Sequence, residues 1–201
     1  MTPVMVGKSQ TVTDETLKSV VESCENKRIT EENILLKKET ENLSWRLNKI
    51  EQKTLECQIE IVGVPESKNE ICTNTTQTIL NKLGTDVTAQ KVFRLQSKFL
   101  NKPRILSVCF NTVNDKSKVM ELAKKHKLVA KDLDPTWNES AVYFNEKMTY
   151  TYRNLFFKAR TSAKQVGYKY IWFKNNIIFA KKNDTSKPII IDDELSISRM
   201  V

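Results

Sequence analysis

Between Lys147 and Asn183 the chain carries nine bases (Lys147, Arg153, Lys158, Arg160, Lys164, Lys169, Lys174, Lys181 and Lys182), no acid, and nine of its sixteen aromatic residues. Ammonium and guanidinium groups neutralise phosphates and release their counterions. Aromatic rings stack on unpaired bases with little regard to sequence. Ordinary protein surfaces intersperse both signs of charge. An acid-free run of this length therefore points to a polyanion, and the rings point to a single-stranded one. Arg153, Lys158, Arg160, Lys164, Tyr168, Tyr170, Trp172, Lys174, Lys181 and Lys182 are the candidate contacts in this stretch.

The elements that must hold these residues follow from periodicity. Residues 149–165 read as a helix with Tyr152, Leu155, Phe156, Ala159 and Ala163 on one side. Residues 168–174 and 177–182 read as a hairpin around Asn175-Asn176, where asparagine tolerates the positive φ of a type I′ turn. The two-residue period puts Lys169, Ile171, Phe173, Ile178 and Ala180 on one face. It puts Tyr168, Tyr170, Trp172, Lys174, Ile177, Phe179 and Lys181 on the other. One face can pack on the helix, and the other mixes rings with ammonium groups.

Other chemistries find little support. The 201 residues include one histidine, His126, and four widely separated cysteines, Cys24, Cys57, Cys72 and Cys109. No pair has metal-ligand spacing, so no metal site and no cofactor is expected. The nucleophile, P-loop and zinc-protease motifs are absent, and the chain is expected not to be an enzyme. No apolar run reaches the roughly 18 residues of a membrane span, and the first ten residues lack a secretory pattern. The expected location is the cytoplasm, with the nucleus as a second compartment.

Charge divides the chain. Residues 1–55 hold nine bases and nine acids, so the net charge of +9 lies entirely beyond residue 55. The neutral first segment is helical in pattern, with Thr13 as the expected N-cap. Ile29, Leu36, Leu43, Ile50 and Cys57 recur every seven residues, with Asn33, Thr40, Leu47 and Thr54 at the other seam position. A seven-residue repeat argues for a coiled coil. Asn33 hints at a parallel dimer, whereas Leu47 with Ile50 leans toward more strands. Arg46 and Glu51 flank that pair in the spacing of an inter-helix salt bridge of trimers. The reading favours a homotrimer over a dimer.

The middle segment reads β-α-β-β-α-β. Strands fall at 58–64, 91–95 and 104–110, with a fourth near Leu128–Leu133. Helices fall at 71–83, with Gly84 after its end, and from an Asn114 or Asp115 cap to about His126. That order is the ferredoxin-like unit which RNA-recognition modules share. Glu60, Ile105 and Ser107 fall where such modules carry their stacking rings. Nucleic acid is therefore expected elsewhere than on the usual sheet face.

The layout over roughly residues 30–195 resembles the baculovirus few-polyhedra (25K) protein family and the related first-open-reading-frame proteins of LINE-type retrotransposons. The markers are the coil running into Ile59-Glu60-Ile61-Val62-Gly63-Val64-Pro65-Glu66, then Phe93-Arg94-Leu95 and Pro103-Arg104-Ile105. Asn145-Glu146-Lys147-Met148-Thr149, Arg153-Asn154-Leu155-Phe156, Ala159-Arg160, Tyr170-Ile171-Trp172 and Lys181-Lys182 follow. The resemblance implies a basic cleft for single-stranded nucleic acid between the last two domains, and it adds Arg94 and Arg104 to the candidate contacts.

The sequence thus predicts an α+β chain. A disordered tail covers 1–12, a coiled-coil helix 13–57, an RRM-like domain 58–135, and a basic C-terminal α/β domain with a β-hairpin 136–201. The expected function is low-specificity binding of single-stranded RNA or DNA by a homo-oligomer, within a viral or retroelement ribonucleoprotein. The rival reading is a structural adaptor that contacts capsid or other protein partners and affects virion and occlusion-body production.

Overall fold

No glycine or proline interrupts residues 8–62, and helix α1 runs unbroken over Ser9–Thr54. The computed structural model describes residues 9–97 and 101–200. Most of the expected tail, residues 1–8, lies outside them. Thr13 falls inside α1 rather than at its cap. Cys57, the last member of the seven-residue repeat, lies beyond the helix, in the turn that leads to the first strand. The chain divides into two compact units, residues up to Leu47 and Asn48–Val201.

In the first unit the apolar seam is exposed to solvent. Ile29, Leu36, Leu43 and Leu47 are each about half exposed or more. Asn33 and Thr40 bond only to carbonyls one turn back, those of Ile29 and Leu36 at 2.8 Å.

The second unit begins with the last turns of α1 and contains two antiparallel sheets. Strands β1 (Gln58–Val62), β2 (Ala89–Arg94), β3 (Leu106–Phe110) and β4 (Tyr143–Glu146) form the first, in the order β2-β3-β1-β4. Helices α2 (Cys72–Lys82) and α3 (Val113–Lys125) supply Ile79, Leu80 and Val119 to a core with Ile59, Ile61, Leu106, Val108 and Phe110. Gly84 ends the α2 turn at φ 73°, as its position after the helix requires. Thr112, not Asn114 or Asp115, caps α3, its side chain accepting from the Asp115 N–H at 3.1 Å.

The fourth strand also differs from expectation. Residues 128–133 form an isolated bridge, Val129 to Ala141, and a short 3-10 turn at Ala130–Asp132. The Asp132 carboxylate accepts from the Val129 N–H and folds this stretch on itself. The sheet instead takes Tyr143–Glu146, beyond residue 135. Gly63 permits that approach, because a Cβ there would collide with the Ala141 carbonyl.

The second sheet joins β5 (Tyr170–Lys174), β6 (Ile177–Lys181) and β7 (Ile189–Ile191) in that order. Asn175 and Asn176 both adopt positive φ, 51° and 63°, the type I′ geometry. Helix α4 (Tyr150–Gln165), capped by Thr149, lays Tyr152, Leu155, Ala159 and Ala163 inward. Tyr152 meets Phe173 edge to face at 5.9 Å, so the face with Ile171, Phe173, Ile178 and Ala180 is the one under the helix. Strand β7 and helix α5 (Glu194–Ser198) were not foreseen from the sequence, although Pro188 before three isoleucines and the cap Asp193 mark them.

Two side chains on the last turns of α1 lock these parts together. Gln52, 1% exposed, donates to the Lys147 carbonyl at 2.8 Å and to Asn176 Oδ1 at 3.0 Å. Its carbonyl accepts from the Thr149 N–H at 2.8 Å. One turn earlier, Asn48 accepts from the Thr149 hydroxyl. Ile50 lies on a different side of the helix and stays 65% exposed.

Candidate nucleic-acid interface

Arg94 is the clearest departure from the sequence expectation. All its N–H groups are used. Nε and Nη2 donate to the two oxygens of Glu70 at 2.9 and 2.8 Å, and the rest go to the carbonyls of Val64, Pro65 and Arg104. Both side chains of the pair are nearly fully buried. This guanidinium ties β2 to the end of β1, and reaching a phosphate would strand a buried carboxylate. Arg104 is more exposed but is held by Glu66 through its side chain and its backbone N–H. That fork keeps the Glu66 carboxyl below the usual carboxylate range.

The expected cleft between the domains is also filled. The first sheet turns Gln58, Glu60 and Ser107 away from its helices, with Glu60 opposite Ser107 in register. Glu60 and Ser107 are nonetheless 6% and 1% exposed. Lys147 donates to Gln58 at 3.0 Å and to Ser107 at 2.9 Å. Arg153, from the first turn of α4, reaches Glu60 at 2.9 Å with one nitrogen and remains half exposed. At the rim, Lys91 and Lys147 lie 5.5 and 5.4 Å from the centre of the Phe93 ring, the distance of a cation–π contact. Ile105, the third expected ring position, precedes β3 and is half-buried.

The remaining candidates fall on two sides. On α4, which contains no acid, Arg160 and Lys164 are exposed and face no carboxylate among the described residues. Lys158 pairs with Glu194 of α5 at 2.6 Å, both exposed. The far face of the second sheet carries Tyr170, Trp172, Lys174 and Lys181, together with Phe179. Trp172 and Phe179 stack at 5.3 Å with 15° between their planes, so each ring spends one face on the other. Tyr170 donates to Asp184, which also pairs with Lys169 at 2.8 Å. Lys169 and Tyr170 hold the Asp184 carboxyl low, and Asp184, with Tyr170, in turn raises the Lys169 ammonium. Lys181 bonds to the Asp184 carbonyl. Tyr168 has Lys182 6.0 Å from its ring centre. Acids from outside the basic run thus fold onto it. What stays together on one surface is the Arg153, Arg160 and Lys164 side of α4.

Residues 149–201 match the family model described as Baculovirus FP protein domain 2. That match begins at the Thr149 cap and takes in α4, the second sheet and α5. It supports the resemblance to the baculovirus few-polyhedra family over this segment. A search of curated proteins finds no match.

Among the described residues no cluster of His, Cys, Asp or Glu has the makings of a metal site, and no helix is long and apolar enough to cross a membrane. The four thiols are unpaired: Cys24 is exposed on α1 and the others are half-buried. Burial raises the Cys57 thiol above its ordinary value.

Proposed function

We propose that the chain is a non-enzymatic binder of single-stranded nucleic acid, RNA in preference to DNA, joined into a trimer by the α1 seam and acting with little sequence preference in a viral or retroelement ribonucleoprotein. On this reading the first sheet and its two helices are a ferredoxin-like, RRM-like scaffold. The order β2-β3-β1-β4 with all pairs antiparallel supports that assignment. The observation that carries the reading is the acid-free outer side of α4, where Arg160 and Lys164 stand exposed beside the half-exposed Arg153. The strand is assigned to this outer side rather than to the cleft, because Lys147 and Arg153 already roof Glu60 and Ser107.

The α1 seam multiplies these surfaces. Once one protomer is bound, its neighbours meet the same strand at high effective concentration. Cytoplasmic assembly, with a nuclear phase, fits a ribonucleoprotein role. Fluorescence anisotropy of labelled single strands against salt tests the function. Log affinity should fall linearly with log salt, by about 0.7 per phosphate contact. Salt-independent affinity, or no binding at low salt, would refute it.

The adaptor reading has one observation in its favour. The far face of the second sheet leaves Ile190 49% exposed beside the Trp172–Phe179 stack, an apolar patch with a basic margin. Partners that stay bound after nuclease treatment would support that reading over the first.

A further inference from the structure

We propose that Tyr150 and Phe157 are base-stacking residues, and that they make α4 selective for single strands over duplexes. This inference rests on the reading of α4 as a nucleic-acid surface and deepens it. Neither ring belongs to the candidate contacts read from the sequence. Both are among the most exposed large apolar side chains described, at 80% and 71%. The helix does not need them for packing, since Tyr152, Leu155, Ala159 and Ala163 already fill its buried side.

Helical geometry aligns the rings with the cations. At 3.6 residues per turn, positions seven apart share a face and lie about 10.5 Å apart along the axis. Tyr150 and Phe157 form one such column. Arg153 and Arg160 form the next, and Lys164 lies one turn beyond Arg160. The Arg153 end of the cation column touches Glu60 of the first sheet, while Lys158 turns the other way to Glu194. Two rings are therefore bordered by three bases, and α4 carries no acid.

That combination selects the occupant. A protein partner able to neutralise three cations needs acids placed against each, but nothing in its backbone demands rings. A single strand offers phosphates at every step and an unpaired aromatic base at each. In a duplex the base faces are buried in the stack, so exposed rings have nothing to stack on while the phosphates remain available. The rings should therefore contribute to single-strand affinity alone.

The test is anisotropy on the full chain with a labelled single strand and a duplex of equal length, each over a salt series. Tyr150→Leu/Phe157→Leu keeps apolar area and removes the rings. Both positions are exposed, and circular dichroism with sedimentation checks fold and assembly. We expect single-strand affinity to fall by roughly tenfold per ring, with duplex affinity and both salt slopes unchanged. Unchanged single-strand affinity in a variant of a chain that does bind single strands overturns the stacking assignment alone. So does an equal loss on duplex, or a fall in salt slope, which would mean that the leucines disturb the cations. Failure of the unaltered chain to bind single strands at low salt overturns the reading of α4 itself, and the stacking assignment with it.

Discussion

Helices α1 and α4 both leave apolar side chains in water, but they differ in the charges around them. On α1, Leu36, Leu43, Leu47 and Ile50 are exposed along one side of the helix, Ile34 and Leu35 are exposed off that side, and the surrounding residues mix acids and bases in nearly equal number. On α4 the exposed Tyr150 and Phe157 are accompanied by bases only. Exposed aliphatic residues at seven-residue spacing with balanced flanks suit a copy of the same helix, because each seam can pair with another and its flanking charges can cross-match. Exposed rings with cations of one sign repel a second copy and suit a polyanion. The nature of the neighbouring charge, not the amount of exposed apolar surface, separates the two assignments.

The largest effect should come from breaking the first half of this contrast. Leu43→Asn/Ile50→Asn places two polar groups in the seam at side chains that are 54% and 65% exposed, so the buried cores of the second unit are untouched. Sedimentation should show monomers. Affinity for a long single strand should fall by about a hundredfold through lost multivalency, while affinity for a strand too short to bridge protomers stays unchanged. An intact oligomer would remove the seam as the joining element.

A smaller change sharpens the second half. Arg153 is the one α4 cation that shares its charge with a buried acid. Glu60→Gln keeps a hydrogen-bond partner and removes the negative charge, so Arg153 should turn more freely to phosphate. Single-strand affinity should rise by roughly two- to fivefold, the worth of a half-exposed ion pair. A loss of affinity would mean that Glu60 positions Arg153 productively rather than restraining it.

Local rules carried much of the fold into the sequence. Asn175-Asn176 foretold its turn because few other residues accept two successive positive φ values. Gly84 marked its helix end for an equally local reason. The fourth strand was not legible in the same way. Residues 128–133 and 141–146 are both short and apolar, and the contacts that favour the second are tertiary or sit in the folded turn: the close approach at Gly63, the Lys116–Glu146 pair, buried at 3.0 Å, and the Asp132 bond to the Val129 N–H.

The candidate site was legible in composition and not in geometry. A run free of acids along the chain is not free of acids in space, since Glu60 and Glu194 reach it from distant strands and helices and Asp184 from just beyond its end. Arg94 reads as a surface base until Glu70 and three carbonyls surround it. Gln52 and Asn48 gave no signal, because an amide in a helix looks like solvent-facing filler until its partners 95 or more residues away are known. Tyr150 and Phe157 were visible as rings, but only burial separates them from Tyr152.

The contrast between the helices is tested most directly by one matched pair of variants. Arg160→Ala/Lys164→Ala removes two cations from α4, and Lys37→Ala/Lys38→Ala removes two from the exposed flank of α1, with the same change in net charge. Single-strand affinity is measured across a salt series for each. The account predicts that the α4 variant loses about 1.4 from the slope of log affinity against log salt, two contacts at about 0.7 each, while the α1 variant keeps the slope of the unaltered chain. Equal slopes in the two variants would contradict it.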